Sequence, residues 1–230
     1  MKKYILFIFC IGYYSLVLGQ VYEVGVSVGG TNYVGDIGRT NYIYPNKPAA
    51  ALLIKYNWNP RIALTATYSY LPIKADNKNA DRVLPLSNGI DISNYRFSNT
   101  INELAFGLEY NFYEYDLSSE DKNWTPYILL ELAAFNYSSV KEQTPVGDYV
   151  FHKKTSFTLP FGVGIKSKLF GDFAIALETK FRYTFEDDLD YSTARIPALN
   201  FGSPGKDWYM FTGVSFIYTF GRPACYTNGM

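Results

Sequence analysis

The stretch from Trp208 to Phe220 limits this chain more than any other, because apolar and small or polar residues alternate along it until an aromatic residue ends the run. Period-two alternation puts successive side chains on opposite faces of a strand, here Thr212, Val214, Phe216, Tyr218 and Phe220 against the residues between them. One aromatic-rich face and one small or polar face suit the wall of a transmembrane β-barrel, with the first set in lipid and the second in the lumen.

Seven upstream stretches repeat the pattern: Tyr22 to Gly30, Ala49 to Tyr56, Arg61 to Tyr70, Thr100 to Phe112, Thr125 to Tyr137, Ser156 to Lys168 and Phe173 to Phe185. With the last stretch they make eight, an even number that fits the smallest single-chain outer-membrane barrels. The connections alternate in length. Asn57 to Pro60, Tyr113 to Trp124 and Leu169 to Asp172 are short, whereas Thr31 to Pro48, Leu71 to Asn99, Ser138 to Thr155 and Glu186 to Asp207 are long. The expected fold is therefore all-β: an eight-stranded antiparallel up-and-down transmembrane barrel of the OmpA-like kind, spanning 20–220. Short turns and both termini face the periplasm, and long loops face the cell exterior.

Charge placement separates this reading from a soluble lipocalin-like barrel or β-sandwich. The faces assigned inward carry Glu23, Glu103, Glu109, Glu131 and Glu178 with Lys55, Arg61, Lys166, Lys180 and Arg182, five of each sign. A soluble barrel puts charges outside and aromatics inside. Here the aromatics face outward, which requires lipid there, since a charge at mid-bilayer costs about 2–4 kcal/mol in such barrels. An eight-stranded interior is just wide enough for side chains, so the balanced charges are expected to pair and plug the lumen. Pro160 inside a strand predicts a bulge, and Gly162 and Gly164 predict space for a bulky neighbour such as Arg61 or Arg182.

The start reads as a secretory signal peptide over 1–19: Met1-Lys2-Lys3, an apolar run from Tyr4 to Leu18, then Gly19. Its removal takes Cys10 and leaves Cys225 as the one cysteine, so an internal disulfide is excluded while pairing with a partner stays open. Lys and Arg total 21 against 21 Asp and Glu, which removes any electrostatic case for nucleic acid. The 22 Tyr and 17 Phe suit strands and the aromatic girdles of membrane barrels.

Catalytic chemistry finds little support. His152 is the only histidine, it stands beside Lys153 and Lys154 in a loop, and no Cys/His cluster offers a metal site. No catalytic residue, cofactor, metal or small-molecule substrate is expected. The acidic stretch Glu186 to Asp190 has the oxygen ligands of a cation site but not the glycine and terminal glutamate of a calcium loop, and reads as a solvated loop. The glycine-rich segment from Gly29 to Gly38 lacks the Gly-Lys-Ser/Thr ending of a phosphate loop.

That segment acquires meaning in combination. Gly-Thr-Asn-Tyr-Val-Gly-Asp-Ile-Gly (30–38), Pro-Asn-Lys-Pro (45–48), Lys-Tyr-Asn-Trp-Asn-Pro-Arg (55–61), Ile-Asn-Glu-Leu (101–104) and Glu-Tyr-Asn-Phe (109–112) stand in order along the chain, with Thr-Pro-Tyr (125–127) and Arg-Pro-Ala-Cys-Tyr (222–226) after them. Together they resemble the PorG-like outer-membrane proteins of the Bacteroidota type IX secretion system. The resemblance implies a non-enzymatic barrel in the outer membrane that holds a periplasmic ring, made of a lipoprotein and its partner subunit, in a machine for protein secretion and gliding motility. A general porin-family or OmpA-like barrel for surface binding or passive transport shares the architecture. Phe220 stands where such barrels end with the aromatic signal for membrane insertion. The tail 221–230, with Arg222, Cys225 and Tyr226, and the turn from Glu114 to Asn123 are the expected docking elements.

Overall fold

The computed structural model describes residues 21–80, 90–115, 123–202 and 205–221. Eight strands run in chain order, β1 (Val21–Val34), β2 (Lys47–Asn59), β3 (Ile62–Asp76), β4 (Arg96–Asn111), β5 (Trp124–Gln143), β6 (Tyr149–Phe170), β7 (Phe173–Thr184) and β8 (Trp208–Phe220). Each pairs antiparallel with the next, and β8 pairs back onto β1 from Tyr22↔Phe220 to Val34↔Trp208, so the sheet closes into a barrel without an edge. The signal-peptide stretch 1–19 and the tail positions Arg222, Cys225 and Tyr226 lie outside the described residues.

Burial follows residue parity. In β3, Ala63, Thr65, Thr67 and Ser69 are buried while Leu64, Tyr68 and Tyr70 are exposed, and β4 buries Glu103, Ala105 and Glu109 while exposing Leu104, Phe106 and Leu108. The outer wall therefore presents Leu52, Ile54, Phe106, Leu130, Leu132, Val163, Leu177 and Phe216 as one continuous apolar surface, far beyond the patch of a few hundred Å² tolerated on soluble monomers. Carboxylates and amines sit inside. Such a wall is stable only against hydrocarbon, which makes the protein an outer-membrane β-barrel that crosses with strands. Among the described residues no helix is long and apolar enough to cross a membrane.

The strands outrun the sequence boundaries at the long-loop end. Most of the expected loop between Ser138 and Thr155 is a two-stranded ribbon, paired from Tyr137↔Lys154 to Gln143↔Tyr149 and closed by a turn in which Gly147 has φ 101°. Val140, Tyr149, Val150 and Phe151 favour extended backbone there, although this stretch never builds a clean alternation. β4 pairs with β5 no further than Asn136, and β7 pairs with β6 no further than Thr158, so the ribbon rises above the closed part of the wall.

Pro160 makes no bulge. Its β7 pairing, Pro160↔Arg182, stays in register, and the β5 ladder skips from Leu130↔Phe161 to Ala133↔Thr158 without a shift. The missing N–H removes ladder pairing on one side while the other side holds the strand straight. Register shifts fall instead at Asn57/Asn59, Val140/Glu142 and Lys168/Phe170.

The interior has two layers. Toward the short turns it is ionic. Toward the long loops it is apolar, where the inward residues Leu71, Ile73, Ile101, Phe135, Tyr209 and Phe211 meet Ile37, Ile92, Leu189, Ile196, Leu199 and Phe201 folded in from the loops.

Candidate functional site

The ionic layer begins where β2, β4 and β6 each turn one charge inward. Glu109 receives Lys55 at 2.5 Å on one oxygen and Lys166 at 2.6 Å on the other, so a single carboxylate bridges three strands across the lumen. Lys166 also lies over the Tyr115 ring, 4.4 Å from its centre, and Lys55 over Tyr127 at 5.3 Å. The Tyr127 hydroxyl donates to Glu178 at 2.8 Å.

Above this, Lys180 stands 3.4 Å from Glu131 and 3.8 Å from Glu178, while Thr65 and Thr67 donate to Glu131 at 3.1 and 3.3 Å. Arg182 donates its Nε to both oxygens of Glu103 at 3.0 Å, and Tyr209 donates to the same carboxylate at 2.6 Å. All these groups are buried. A buried ion pair holds only when its remaining lone pairs and protons are also satisfied, which the threonines and tyrosines do here.

Eight of the ten residues assigned to a lumen network are thus brought together. Glu23 is in the lumen and fully buried, beside Lys55 in the β1–β2 register, yet neither of its oxygens has a hydrogen-bond partner. Arg61 is the correction. The Asn59 side chain accepts from the backbone N–H of both Arg61 and Ile62 at 2.8 Å, which ends β2 in a tight turn and starts β3 one residue late. Arg61 therefore lies below the rim, partly exposed, donating to the Phe112 carbonyl at 2.7 Å and pairing with Glu114 at 3.3 Å.

The glycines serve other neighbours than expected. A Cβ at Gly164 would sit 2.5 Å from the Tyr127 ring, and one at Gly162 would meet the Thr179 carbonyl at 2.8 Å and Lys180 at 3.0 Å. Space is made for Tyr127 and Lys180, not for Arg61 or Arg182. The tyrosines Tyr127 and Tyr209 were missed as network members, although both fall on the inward parity of their strands.

The acidic stretch before β8 is not a solvated loop. Asp188 accepts from Tyr137, from Ser139 at 2.7 Å and from Lys154 at 3.1 Å, and Glu186 accepts from Lys154 at 2.6 Å and Ser156 at 2.7 Å. Asp207 accepts from the Tyr33 hydroxyl and from the Leu189 N–H at 3.0 Å. Asp190 and Asp207 are buried, and burial pushes both carboxyls well above the usual range. Asp187 is pushed up to about 6, first by burial and then by Asp36, against the opposing charge of Lys206. These contacts tie the last long loop to β1, β5 and β6, over the mouth of the barrel.

Phe220, the insertion-signal residue, is exposed on the outer wall and stacks on Tyr22 at 5.7 Å. His152 is exposed on β6. Among the described residues no group of three or more His, Cys, Asp or Glu is placed to hold a metal ion.

Among the described residues the barrel interior is filled by paired charges and, toward the long loops, by apolar side chains. A family profile described as a domain of unknown function (DUF6089) matches residues 2–229. The chain belongs to that family. No curated protein matches this DUF6089 chain significantly. Solved structures resemble it in fold: Ail, the attachment invasion locus protein of Yersinia pestis, at 10% identity and TM-score 0.45, covering 87% of this chain and 100% of Ail. The N-terminal barrel of Pseudomonas aeruginosa OprF follows at 12% identity and TM-score 0.43, with 87% and 98% covered. A major outer membrane protein of Thermus thermophilus matches at 12% identity and TM-score 0.46, with 87% and 99% covered.

Proposed function

We propose that this DUF6089 barrel is a non-enzymatic anchor that holds periplasmic components of the type IX secretion machinery against the outer membrane. The observation that carries the first half of this reading is the filled lumen: Glu109 bridged to Lys55 and Lys166, and Glu103 to Arg182, leave the barrel to act through its surfaces. The choice of partner rests on the resemblance of 30–38, 45–48, 55–61, 101–104 and 109–112 to PorG-like proteins. One of those segments, 55–61, ends β2 and enters the first short turn, where Arg61 reaches Glu114 in the second. In this reading the termini are periplasmic and the short-turn side meets a ring-forming lipoprotein and its partner subunit; the expected docking residues Arg222, Cys225 and Tyr226, and 116–122 of the second short turn, lie outside the described residues.

Affinity purification from native membranes, with the full chain and with a chain ending at Phe220, tests this. Ring subunits are expected with the full chain and lost with the shortened one. Their absence from both sinks the secretion reading; their presence with both sinks the role of the tail. For Cys225, non-reducing electrophoresis showing only monomer removes a disulfide to a partner.

The second reading, a surface-binding barrel, has one observation in its favour, a cleft in the rim on the long-loop side lined by Arg39, Lys74 and Asp76.

A further inference from the structure

β2 begins at Lys47, whereas β1 continues to Val34 and β3 to Asp76, so a gap opens in the wall above β2. The first long loop fills it. Asn32, buried at the top of β1, donates to the carbonyls of Asn41 at 3.0 Å and Tyr42 at 3.2 Å, and Asn46 is pinned by its N–H to the Thr31 carbonyl at 2.8 Å. Tyr42 is thereby laid against the outward-facing Trp208 and Phe181. What remains between the loop and β3 is a cleft of about 250 Å³.

Its lining is specific in kind. Arg39 lies over the Tyr44 ring, 4.6 Å from its centre, and Lys74 stands across the cleft. Neither Arg39 nor Lys74 has a carboxylate partner among the described residues, a property they share with other cations such as Lys47 and Lys153, but these two line one cleft together. Two acceptors lie beside these cations: the side-chain carbonyl of Asn46, which has no hydrogen-bond partner, and Asp76, which takes one bond from the Lys78 N–H at 2.9 Å. Cations call for an acid group, and unpaired acceptors call for hydroxyl donors on the same ligand. The volume falls just below the roughly 300–1,000 Å³ of clefts that enclose drug-sized molecules, which suits one sugar ring rather than a chain.

The height of the cleft bears on the source. Lys74 follows Tyr68, Tyr70 and Pro72 on the outward set of β3, about 13 Å beyond Tyr70 along the strand and about 10 Å higher once the tilt of barrel strands is allowed for. Tyr42, Ile43 and Tyr44 are exposed beside it. Aromatic residues above an apolar wall mark the headgroup level of a bilayer.

We propose that this cleft binds an acidic sugar, its phosphate or carboxylate held by Arg39 and Lys74 and its hydroxyls by Asn46 and Asp76. Both a lipid-anchored sugar of the adjoining leaflet and a soluble one have this chemistry. The full chain in phosphatidylcholine nanodiscs is titrated with glucosamine 6-phosphate and with inorganic phosphate by calorimetry, and lipid A retained in nanodiscs is counted by native mass spectrometry.

Arg39→Gln and Lys74→Gln are each expected to weaken binding at least about tenfold. Lys153→Gln, at an exposed lysine elsewhere, is expected to leave binding unchanged, and inorganic phosphate to bind about fivefold more weakly than the sugar phosphate. Retention of lipid A, lost in the Arg39→Gln/Lys74→Gln double variant, assigns the sugar to a lipid. Binding of the soluble sugar alone assigns it to solution. No binding of either probe, equal loss in Lys153→Gln, no loss in the cleft variants, or phosphate binding as tightly as the sugar phosphate each overturns the proposal. Heat-modifiable migration on electrophoresis verifies that every variant is a folded barrel.

Discussion

At the residue scale, Glu109 and Glu23 are two buried carboxylates in one lumen with opposite consequences. Glu109→Ala leaves Lys55 and Lys166 buried without their shared partner, and is expected to destabilise the barrel by about 3–5 kcal/mol. Glu23 has no hydrogen bond to lose, so Glu23→Gln is expected to change stability by less than about 1 kcal/mol. Urea unfolding followed by tryptophan fluorescence separates them, and equal losses would contradict the assignment of Glu109 as the bridge. A third substitution, Gly164→Val, forces its side chain into the Tyr127 ring and is expected to cost about 1–3 kcal/mol by overpacking. Inward parity made Glu109, Lys55 and Lys166 legible in the sequence. It misplaced Arg61, because parity says nothing about where a strand stops, and that is decided by the Asn59 side chain capping the turn.

At the scale of elements, the last long loop and the first are joined by carboxylates. Asp187, Asp190 and Asp207 come from one loop and Asp36 from the other, with the Tyr33 hydroxyl between and Lys206 as the nearby cation. All three loop-four carboxyls have folded pKa values above the usual 3.8, so the folded loops bind protons that the unfolded ones do not. Their contribution is fully present below about pH 4 and is lost as pH rises through about 6 for Asp187 and higher for the other two. Amide hydrogen exchange in residues 185–202 is therefore expected to become less protected, after correction for the intrinsic rate, between pH 5 and pH 8. Asp190→Asn is expected to flatten that dependence; a profile unchanged by the substitution would contradict it.

None of this loop chemistry was legible. Glu186 to Asp190 looks solvated when read alone, and only folding places Tyr137, Ser139 and Lys154 of the β5–β6 ribbon against it. The ribbon itself escaped because pairing strand to strand, rather than alternation against a hydrophobic face, holds its outer part.

At the scale of the whole molecule, strand number, order and which face meets lipid followed from alternation and from the sign of charge on each parity, since a membrane allows only closed barrels of strands and excludes charge from their outer wall. The interior is where the chain commits to a role. Among the described residues, salt links between β2, β4, β6 and β7 below and an apolar loop cap above fill the lumen at both levels, and the proposed anchor role rests on that filling. Planar-bilayer recording of the purified full chain tests this most directly. A filled lumen predicts an electrically silent membrane after insertion, verified by heat-modifiable migration of the recovered protein; reproducible steps of nanosiemens size would show an open pore and contradict it.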